Sequence, residues 1–344
     1  MDLLRSSRTT PRRLLAGGAF VALAALTGCS SGSDGSAGSD PAASQPSRDA
    51  QTVNPYDGHE QFADPGSKVA QAAAQAKTDG DTDREDDFTR LAGVPQGIWL
   101  TPEQYPAGSV GPFVAKIVAA ADDAGSVPTF VIYGIPDRDC TGQHSAGGLP
   151  ADQYGPWVGE IADAAESGTD VAAVVEPDGL ASLLECGDRG QRVGLIADAA
   201  HRLAAAGVTT YLDGGHSHWI DPDKIAPLLQ DAGVADVRGF STNVSNFQSD
   251  DDEKAYGEQL SALVGGAHFI IDSGRNGFGA TKDWCNPPGR AFGTDPGAVS
   301  GGGNLDAFVW VKPPGESDGE CNGGPAAGQF WPERTMELAS ASGW

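Results

Sequence analysis

The sequence predicts an α/β fold in which helices flank a parallel sheet, either open or closed. Short apolar runs rich in β-branched residues recur along the chain, and segments with helical spacing lie between most of them. This alternation favours a parallel sheet, because parallel neighbours need a crossover connection that is usually a helix. A length of 344 residues and an apolar fraction of 39% allow a substantial core, in one large domain or two smaller ones.

Seven strands are predicted from the apolar runs. They lie at about 96–100, 127–133, 171–175, 208–212, 237–241, 267–271 and 306–311. Pro128 falls near the start of the second strand, where the lack of a backbone N–H donor is tolerated.

Four of the intervening segments have a clear helical pattern. Residues 110–124, 152–166 and 190–206 are rich in alanine, and each is followed by a glycine within two residues. Their apolar residues recur at i, i+3 and i+4, which is typical of an amphipathic helix. The fourth segment, 222–232, starts at an Asp-Pro-Asp sequence, which is a helix-start signal.

The first 28 residues have the features of an export signal. Arg12 and Arg13 precede an apolar run, Leu14 to Leu26, that is too short to span a bilayer as a helix. The tetrad Leu26-Thr27-Gly28-Cys29 resembles the lipobox of bacterial lipoproteins. We therefore expect a lipidated Cys29 and an exported protein held at the cell surface, although an ordinary cleaved signal with an incidental cysteine is the alternative. The paired arginines also suit the twin-arginine route.

Composition divides the remainder of the chain into two parts. Residues 29–53 are dominated by Ser, Gly, Ala, Asp and Pro, which predicts a disordered tether. Residues 54–344 form the predicted folded domain. The formal net charge of −25 disfavours nucleic acid and anionic polysaccharide as partners, but not a neutral ligand. No cofactor and no protein partner are predicted.

The cysteines beyond Cys29 are even in number, as expected for an exported protein with disulfides. They are Cys140, Cys186, Cys285 and Cys321. Two disulfides are predicted, and three pairings are open. The absence of a Cys-x-x-Cys pair argues against a metal site.

Polar clusters follow six of the seven predicted strands. They are 137–139 (DRD), 176–178 (EPD), 213–216 (DGGH), Asn243 with Asn246, Asp272 with Arg275 and Asn276, and Lys312 with Glu316 and Asp318. Ligands bind at the carboxyl ends of the strands in both barrels and open α/β sheets. Six clusters at one edge therefore predict a single site built from most of the chain. The alternative is that these residues only form turns and caps.

Several carboxylates converging on one site indicate glycosidic bond cleavage. One carboxyl stays protonated and donates to the leaving oxygen, while another stays ionised and activates water or attacks. Trp99, Trp219 and Trp284 lie beside the same segments, and flat indole faces suit pyranose rings. Trp157 and Trp310 are expected in the core.

Other chemistries have weaker support in the sequence. Asp213, His216 and His218 could be metal ligands, but their spacing matches no helical or strand frame. No motif for a serine nucleophile, a zinc protease, a phosphate loop or a dinucleotide site is present.

Seven ordered segments resemble glycoside hydrolase family 6, the cellulases. They are 131–140 (VIYGIPDRDC), 174–178 (VVEPD), 211–216 (YLDGGH), 241–246 (STNVSN), 272–277 (DSGRNG), 283–287 (DWCNP) and 312–319 (KPPGESDG). The resemblance covers about residues 54–338. It implies a distorted (β/α) barrel of about seven parallel strands, an inverting β-1,4-glucanase activity, and the disulfides Cys140–Cys186 and Cys285–Cys321.

The resemblance also implies roles for individual residues. Asp178 would be the general acid, and Asp139 would raise its pKa and organise water. Asp318 would be the candidate base, Tyr133 would crowd the sugar at the cleavage point, and Asp213 would support the site. Glucose units would be held by His216, Trp219, Asn246, Trp284, Lys312 and Glu316. Trp99 joins this set from its position beside the first predicted strand.

The chain departs from the family pattern at several positions. Gly179 follows the Glu-Pro-Asp sequence where the family has Ser, Ala or Leu, and Gly214 replaces an alanine. No tryptophan follows Phe62-Ala63-Asp64-Pro65 to form a distal glucose platform. The segments between the paired cysteines are short, which favours an open cleft and cleavage within chains. A cellobiohydrolase and a non-catalytic glucan-binding lipoprotein are the alternatives.

Overall fold

The computed structural model describes residues 48–140, 144–301 and 303–344. The predicted signal peptide, Cys29 and the tether up to residue 47 lie outside the described residues. None of the helices that are described has the length and apolar character needed to cross a membrane.

Eight strands form one curled sheet in the spatial order β2-β4-β5-β6-β7-β8-β10-β9. The strands are β2 (Ile98–Leu100), β4 (Thr129–Ile132), β5 (Ala172–Val175), β6 (Thr209–Asp213), β7 (Gly239–Thr242), β8 (His268–Asp272), β9 (Gly297–Ala298) and β10 (Leu305–Val309). All neighbours are parallel except β9, which runs antiparallel to β10. The seven parallel strands confirm the seven predicted runs. A separate parallel pair joins β1 (Glu60–Gln61) to β3 (Ser126–Val127).

Eight α-helices are present in the described part of the chain. They are α1 (Lys68–Asp79), α2 (Thr82–Ala92), α3 (Val110–Ala124), α4 (Ala151–Ala165), α5 (Arg189–Ala205), α6 (Pro222–Asp231), α7 (Asp250–Leu263) and α8 (Pro332–Ala341). The four predicted helices are α3 to α6, each within one residue of its expected ends. The other four were not predicted; in α2, for example, charged residues dominate and only Phe88 and Leu91 are buried.

Alternate residues of each strand face opposite layers, which explains the near-continuous apolar runs. Val131, Val174 and Tyr211 point into the barrel, where they form an interior cluster with residues of β8 and β10. Their neighbours, such as Phe130 and Leu212, pack against the surrounding helices. Because both faces are buried, the strands need apolar side chains at every position. Trp157 and Trp310 are fully buried, as predicted.

The barrel is incompletely closed between β2 and β10. The N–H of Gly97 donates to the carbonyl oxygen of Trp310 over 2.8 Å, but no ladder continues from this bond. A Cβ atom on Gly97 would lie 2.2 Å from the carbonyl oxygen of Val311, so only glycine permits this approach. This partial closure confirms the distorted barrel.

The segment preceding β1 lies across the amino-terminal end of the barrel. Gln51 donates to the Val208 carbonyl oxygen over 2.7 Å and accepts the N–H of Arg238 over 2.9 Å. Tyr56 is buried in the interior cluster, and its hydroxyl is 2.9 Å from that of Thr129. The last residues of the predicted tether, from Arg48 on, therefore include a side chain that contacts the barrel. The opposite, carboxyl-terminal end of the strands carries the functional clusters.

Candidate active site

A cleft of about 1200 Å³ lies at the carboxyl ends of the strands. The predicted residues that line it are Trp99, Tyr133, Asp139, Asp178, His216, Trp219, Asn246, Trp284, Lys312, Glu316 and Asp318. Only Asp213 of the predicted site residues does not reach the cleft surface. Members of five of the six post-strand clusters line the cleft, whereas the cluster of Asp272, Arg275 and Asn276 does not.

The loops that follow β4, β5 and β7 contain residues with an unusual backbone conformation. Asp139, Asp178 and Asn243 have positive φ values of 51°, 64° and 64°, a region that non-glycine residues seldom adopt. Such strain is concentrated at functional sites, where the surrounding structure holds it in place. These turns bring Asp139 and Asp178 to the cleft.

Asp178 is a half-buried carboxyl whose pKa is raised. Burial is the larger cause, the negative charge of Asp139 is the second, and together they raise the pKa of Asp178 to about 7. No group in the described residues forms a hydrogen bond with its carboxyl, whereas its backbone N–H donates to Oδ2 of Asp213 over 2.9 Å. A protonated Asp178 is therefore available near neutral pH to a ligand in the cleft.

Asp213 and Glu176 are buried carboxyl groups that hold the backbone around Asp178. Asp213 also accepts the N–H of Gly215 over 3.2 Å and the hydroxyl of Ser241 over 3.3 Å, and burial raises its pKa well above the ordinary value. Glu176 is buried, accepts the N–H of Gly134 over 2.9 Å, and has its pKa raised to about 7 by burial. Glu176 therefore connects the end of β5 to the chain that follows β4.

Asp139 lies on the neighbouring loop and is held by backbone and side-chain donors. Its Oδ2 accepts the N–H groups of His144 and Ser145, each over 2.7 Å, and the Ser145 hydroxyl over 3.1 Å. The Ser145 hydroxyl also lies 2.9 Å from that of Tyr133. The disulfide Cys140–Cys186 ties this loop to the segment that follows Asp178, which confirms the implied pairing.

Asp318 is a buried carboxylate paired with Arg275. Nη1 of Arg275 lies 2.8 Å and 2.9 Å from the two carboxylate oxygens, and the N–H of Asn286 donates to Oδ2 over 3.0 Å. The two side chains form a buried, charge-assisted pair. The second disulfide, Cys285–Cys321, joins the segments on either side of this contact and also confirms the implied pairing.

One wall of the cleft combines aromatic and charged side chains. Trp99 donates to the Val311 carbonyl oxygen over 2.8 Å, and its ring meets that of Tyr133 edge-on with centroids 5.1 Å apart. Nζ of Lys312 lies 5.5 Å from the Trp99 ring, and burial lowers the pKa of this lysine. Glu316 is paired with Lys68 of α1 over 2.9 Å.

The opposite wall is formed by the loops after β6 and β7. Nε2 of His216 lies 3.0 Å from Nδ2 of Asn246, and burial lowers the pKa of His216 to about 4. His216 is therefore neutral at ordinary pH, and its Nε2 can accept a hydrogen bond from the Asn246 amide N–H. Trp219 lies beside His216, with ring centroids 5.7 Å apart, and its indole N–H donates to Glu185 over 3.0 Å.

Trp284 stands at the rim of the cleft. It is 46% exposed and meets the His144 ring edge-on at 5.4 Å, so a large part of the indole is free to contact a ligand. Exposure of this kind in a tryptophan is typical of a binding surface.

The structure also shows site residues whose roles the sequence did not predict. Arg275 holds Asp318, Ser145 holds both Asp139 and Tyr133, and Lys68 holds Glu316. Lys68 lies about 250 residues from Glu316 in sequence, and helix α1 has no motif that would signal the contact.

The weak metal alternative finds no support in the geometry. Asp213 accepts backbone and hydroxyl donors beneath the turn, while His218 is exposed and faces Asp252 at 4.0 Å. Among residues 48–140, 144–301 and 303–344, no group of three His, Cys, Asp or Glu side chains is arranged to hold a metal ion.

A comparison with protein families identifies the chain. Residues 56–342 match the model of glycosyl hydrolases family 6. The chain belongs to glycosyl hydrolase family 6. Endoglucanase A of Cellulomonas fimi is 43% identical over 258 residues, which cover 74% of this chain and 56% of the relative. The chain therefore spans little more than half the length of that family 6 relative. Endoglucanase 1 of Streptomyces halstedii is 32% identical over 80% of this chain and 87% of the relative.

Solved family 6 structures have the same fold. The endoglucanase Cel6 of Mycobacterium tuberculosis aligns with a TM-score of 0.79 and 38% sequence identity. The alignment covers 85% of this chain and all of that chain, and that structure was solved with a thio-linked cellobiosyl cellobioside. The cellobiohydrolase Cel6A of Humicola insolens aligns with a TM-score of 0.73 and 26% identity over 85% of this chain and 99% of that one.

Proposed function

We propose that this protein is an inverting endo-β-1,4-glucanase that hydrolyses cellulose or related β-glucans. The observation that carries the proposal is the contrast between two carboxyl groups in one cleft. Asp178 has its pKa raised to about 7 by burial and by Asp139, whereas Asp318 is paired with Arg275. Glycoside hydrolysis needs a protonated carboxyl as the acid and a second carboxylate as the base, and these two groups line the same cleft.

In the first half of the proposed step, Asp178 donates its proton to the bridging glycosidic oxygen. The bond between that oxygen and the anomeric carbon breaks, and the departing sugar leaves as a neutral alcohol. Asp139 favours the protonated form of Asp178 before this transfer, because two neighbouring carboxylates repel each other.

In the second half, water attacks the anomeric carbon from the opposite face and loses a proton to Asp318. Both oxygens of Asp318 interact with Arg275 or Asn286, and these contacts fix the carboxylate in the cleft. The positive charge that develops on the sugar assists the attack of the water. Asp139, with the Ser145 hydroxyl 3.1 Å away, helps to organise the water.

We assign the two walls to the two parts of the substrate. Tyr133 would crowd the sugar that undergoes cleavage, and its ring contacts Trp99. The wall of Trp99, Lys312 and Glu316 would therefore hold the part of the glucan that carries the reacting anomeric carbon. The wall of His216, Trp219 and Asn246 would hold the departing part.

Cleavage within chains is favoured over release of cellobiose from chain ends. The disulfide-linked segments are short, with the paired cysteines 46 and 36 positions apart in the sequence, and this leaves little chain to cover the cleft. Relatives called endoglucanases reach 43% identity, whereas those called exoglucanases or cellobiohydrolases reach 32%. A cellobiohydrolase would give cellobiose as the first product, whereas an endoglucanase would give a range of chain lengths.

A non-catalytic glucan-binding lipoprotein is the second candidate, because the sequence predicts lipidation of Cys29. The presence of Asp139, Asp178 and Asp318 in the cleft favours catalysis. We propose that the lipid holds the enzyme at the cell surface, which a Cys29→Ser variant would test by release of the protein from the membrane fraction.

The activity is tested by following cellohexaose hydrolysis by NMR, with Asp178→Asn as the control. We expect early products of several lengths whose new reducing ends first appear as the α-anomer. A β-anomer would contradict inversion, and cellobiose alone would contradict endo cleavage. Binding of cellohexaose without any hydrolysis would favour the glucan-binding lipoprotein.

A further inference from the structure

The first two turns of α7 hold the loop that carries His216 and Trp219. This loop, 214–219, follows β6 and reverses at His216, whose carbonyl oxygen accepts the N–H of Trp219 over 3.1 Å. His216 and Trp219 are the first and last residues of this turn, and both line the cleft. A shift of the loop backbone would therefore move both rings together.

Two side chains of α7 hydrogen-bond to the backbone of this loop. Oε1 of Glu253 accepts the N–H of Ser217 over 2.9 Å, and the hydroxyl of Tyr256 donates to the carbonyl oxygen of Gly214 over 2.7 Å. Glu253 and Tyr256 are one helical turn apart, so they project from the same face of α7. Together they fix the loop on both sides of His216.

Glu253 is an unusual residue to find in this position. It is completely buried, and its second carboxyl oxygen has no hydrogen-bond partner among the described residues. The hydroxyls of Ser217 and Thr242 lie close enough to oppose the effect of burial, which raises the pKa of Glu253. Burial of a carboxyl group costs stability, and an apolar side chain would avoid that cost. A specific contact with the loop accounts for a glutamate here.

Helix α7 is itself fixed against the barrel. Gly257 packs so closely on Phe269 of β8 that a Cβ atom would lie 2.3 Å from the ring. At the start of the helix, Asp250 accepts the amide N–H of Asn276 over 2.9 Å, and Asn276 accepts that of Asn243 over 2.8 Å. The helix therefore provides a rigid support for the loop.

We propose that Glu253, assisted by Tyr256, is a positioning residue that orients His216 and Trp219 for the departing part of the glucan. This inference rests on the proposed function and on the assignment of the two walls. It predicts that loss of the Glu253 contact weakens the use of substrates with sugars on the departing side. Substrates without such sugars should be affected little.

The test compares two substrates in several variants. Cellotetraose places sugars on both sides of the cleavage point, whereas β-cellobiosyl fluoride has only fluoride on the departing side. For Glu253→Leu we expect kcat/KM on cellotetraose to fall by about tenfold or more, mostly through KM, with a change of less than about twofold on the fluoride. Glu253→Gln should retain most of the activity, because its amide oxygen still accepts the Ser217 N–H.

Two further variants make the test decisive. Tyr256→Phe removes only the hydroxyl contact with Gly214 and should show the same selectivity in a milder form, even if Glu253→Leu fails to fold. Glu258→Gln changes an exposed carboxyl on the same helix and should leave both substrates unchanged. Equal losses on both substrates, or no loss on cellotetraose, would overturn the positioning role. Failure of the unaltered protein to hydrolyse either substrate would instead overturn the proposed function.

Discussion

The pH dependence of hydrolysis should follow the protonation of Asp178. An ordinary aspartic acid with a pKa of 3.8 would be protonated in fewer than about 1% of molecules at pH 6. With its pKa raised to about 7, Asp178 is protonated in about 90% of molecules at that pH. Its environment therefore increases the fraction of acid-competent enzyme by about 100-fold. Because the protonated form is the active one, kcat/KM should decline as the pH rises through about 7.

An Asp139→Asn variant tests the physical cause of this raised pKa. The substitution removes the neighbouring negative charge but retains the burial of Asp178, so the decline should begin at lower pH, by about one unit. The maximal rate should also fall, because Asp139 is proposed to organise water. Asp137→Asn is the matched control, since Asp137 is exposed on the same loop.

The assay is the initial rate of cellotetraose hydrolysis between pH 4 and pH 9 for the three proteins. We expect the rate to decline near pH 7 in the unaltered enzyme and at a lower pH in Asp139→Asn, whereas Asp137→Asn should decline at the same pH as the unaltered enzyme. A flat profile up to pH 9, or an unmoved decline in Asp139→Asn, would refute it.

Arg275→Met leaves the carboxylate of Asp318 buried without its charged partner. We therefore expect denaturant titration to show a loss of about 3–5 kcal/mol in the free energy of unfolding, together with a large fall in kcat. Gly97→Ala forces β2 and β10 apart, and thermal melting should show a clear loss of stability, whereas an unchanged melting temperature would contradict the close contact with Val311. Asp178→Asn should stabilise the protein at pH 8 but not at pH 4, because the folded-state pKa of Asp178 exceeds its unfolded value and ionisation therefore costs stability only at higher pH.

Most of the barrel could be predicted from the sequence because its strands are buried on both faces. Their apolar runs stand out from the polar turns, and each run ends in the residues that line the cleft. The alanine-rich helix α3 is bounded by Gly125 and was predicted with its observed ends. Helix α7 was not predicted, because it begins with four acidic residues and its buried positions include Glu253.

The support beneath the site could not be predicted for a different reason. Contacts such as Lys68 with Glu316 and Glu253 with Ser217 join residues that are distant in sequence, and local pattern does not encode them. The Asp178 pKa is likewise a property of burial and of the neighbouring charge. Family motifs identified which residues take part, whereas the structure shows which groups hold them in place.

The central claim, that Asp178 protonates the departing sugar, is tested most directly by varying the leaving group. In Asp178→Asn, kcat on cellotetraose should fall by about 10²–10⁴-fold, because the sugar must then leave without a proton. On 2,4-dinitrophenyl β-cellobioside, whose leaving group needs no proton, the same variant should retain most of its kcat. An equally large loss on both substrates would contradict the assignment of Asp178 as the general acid.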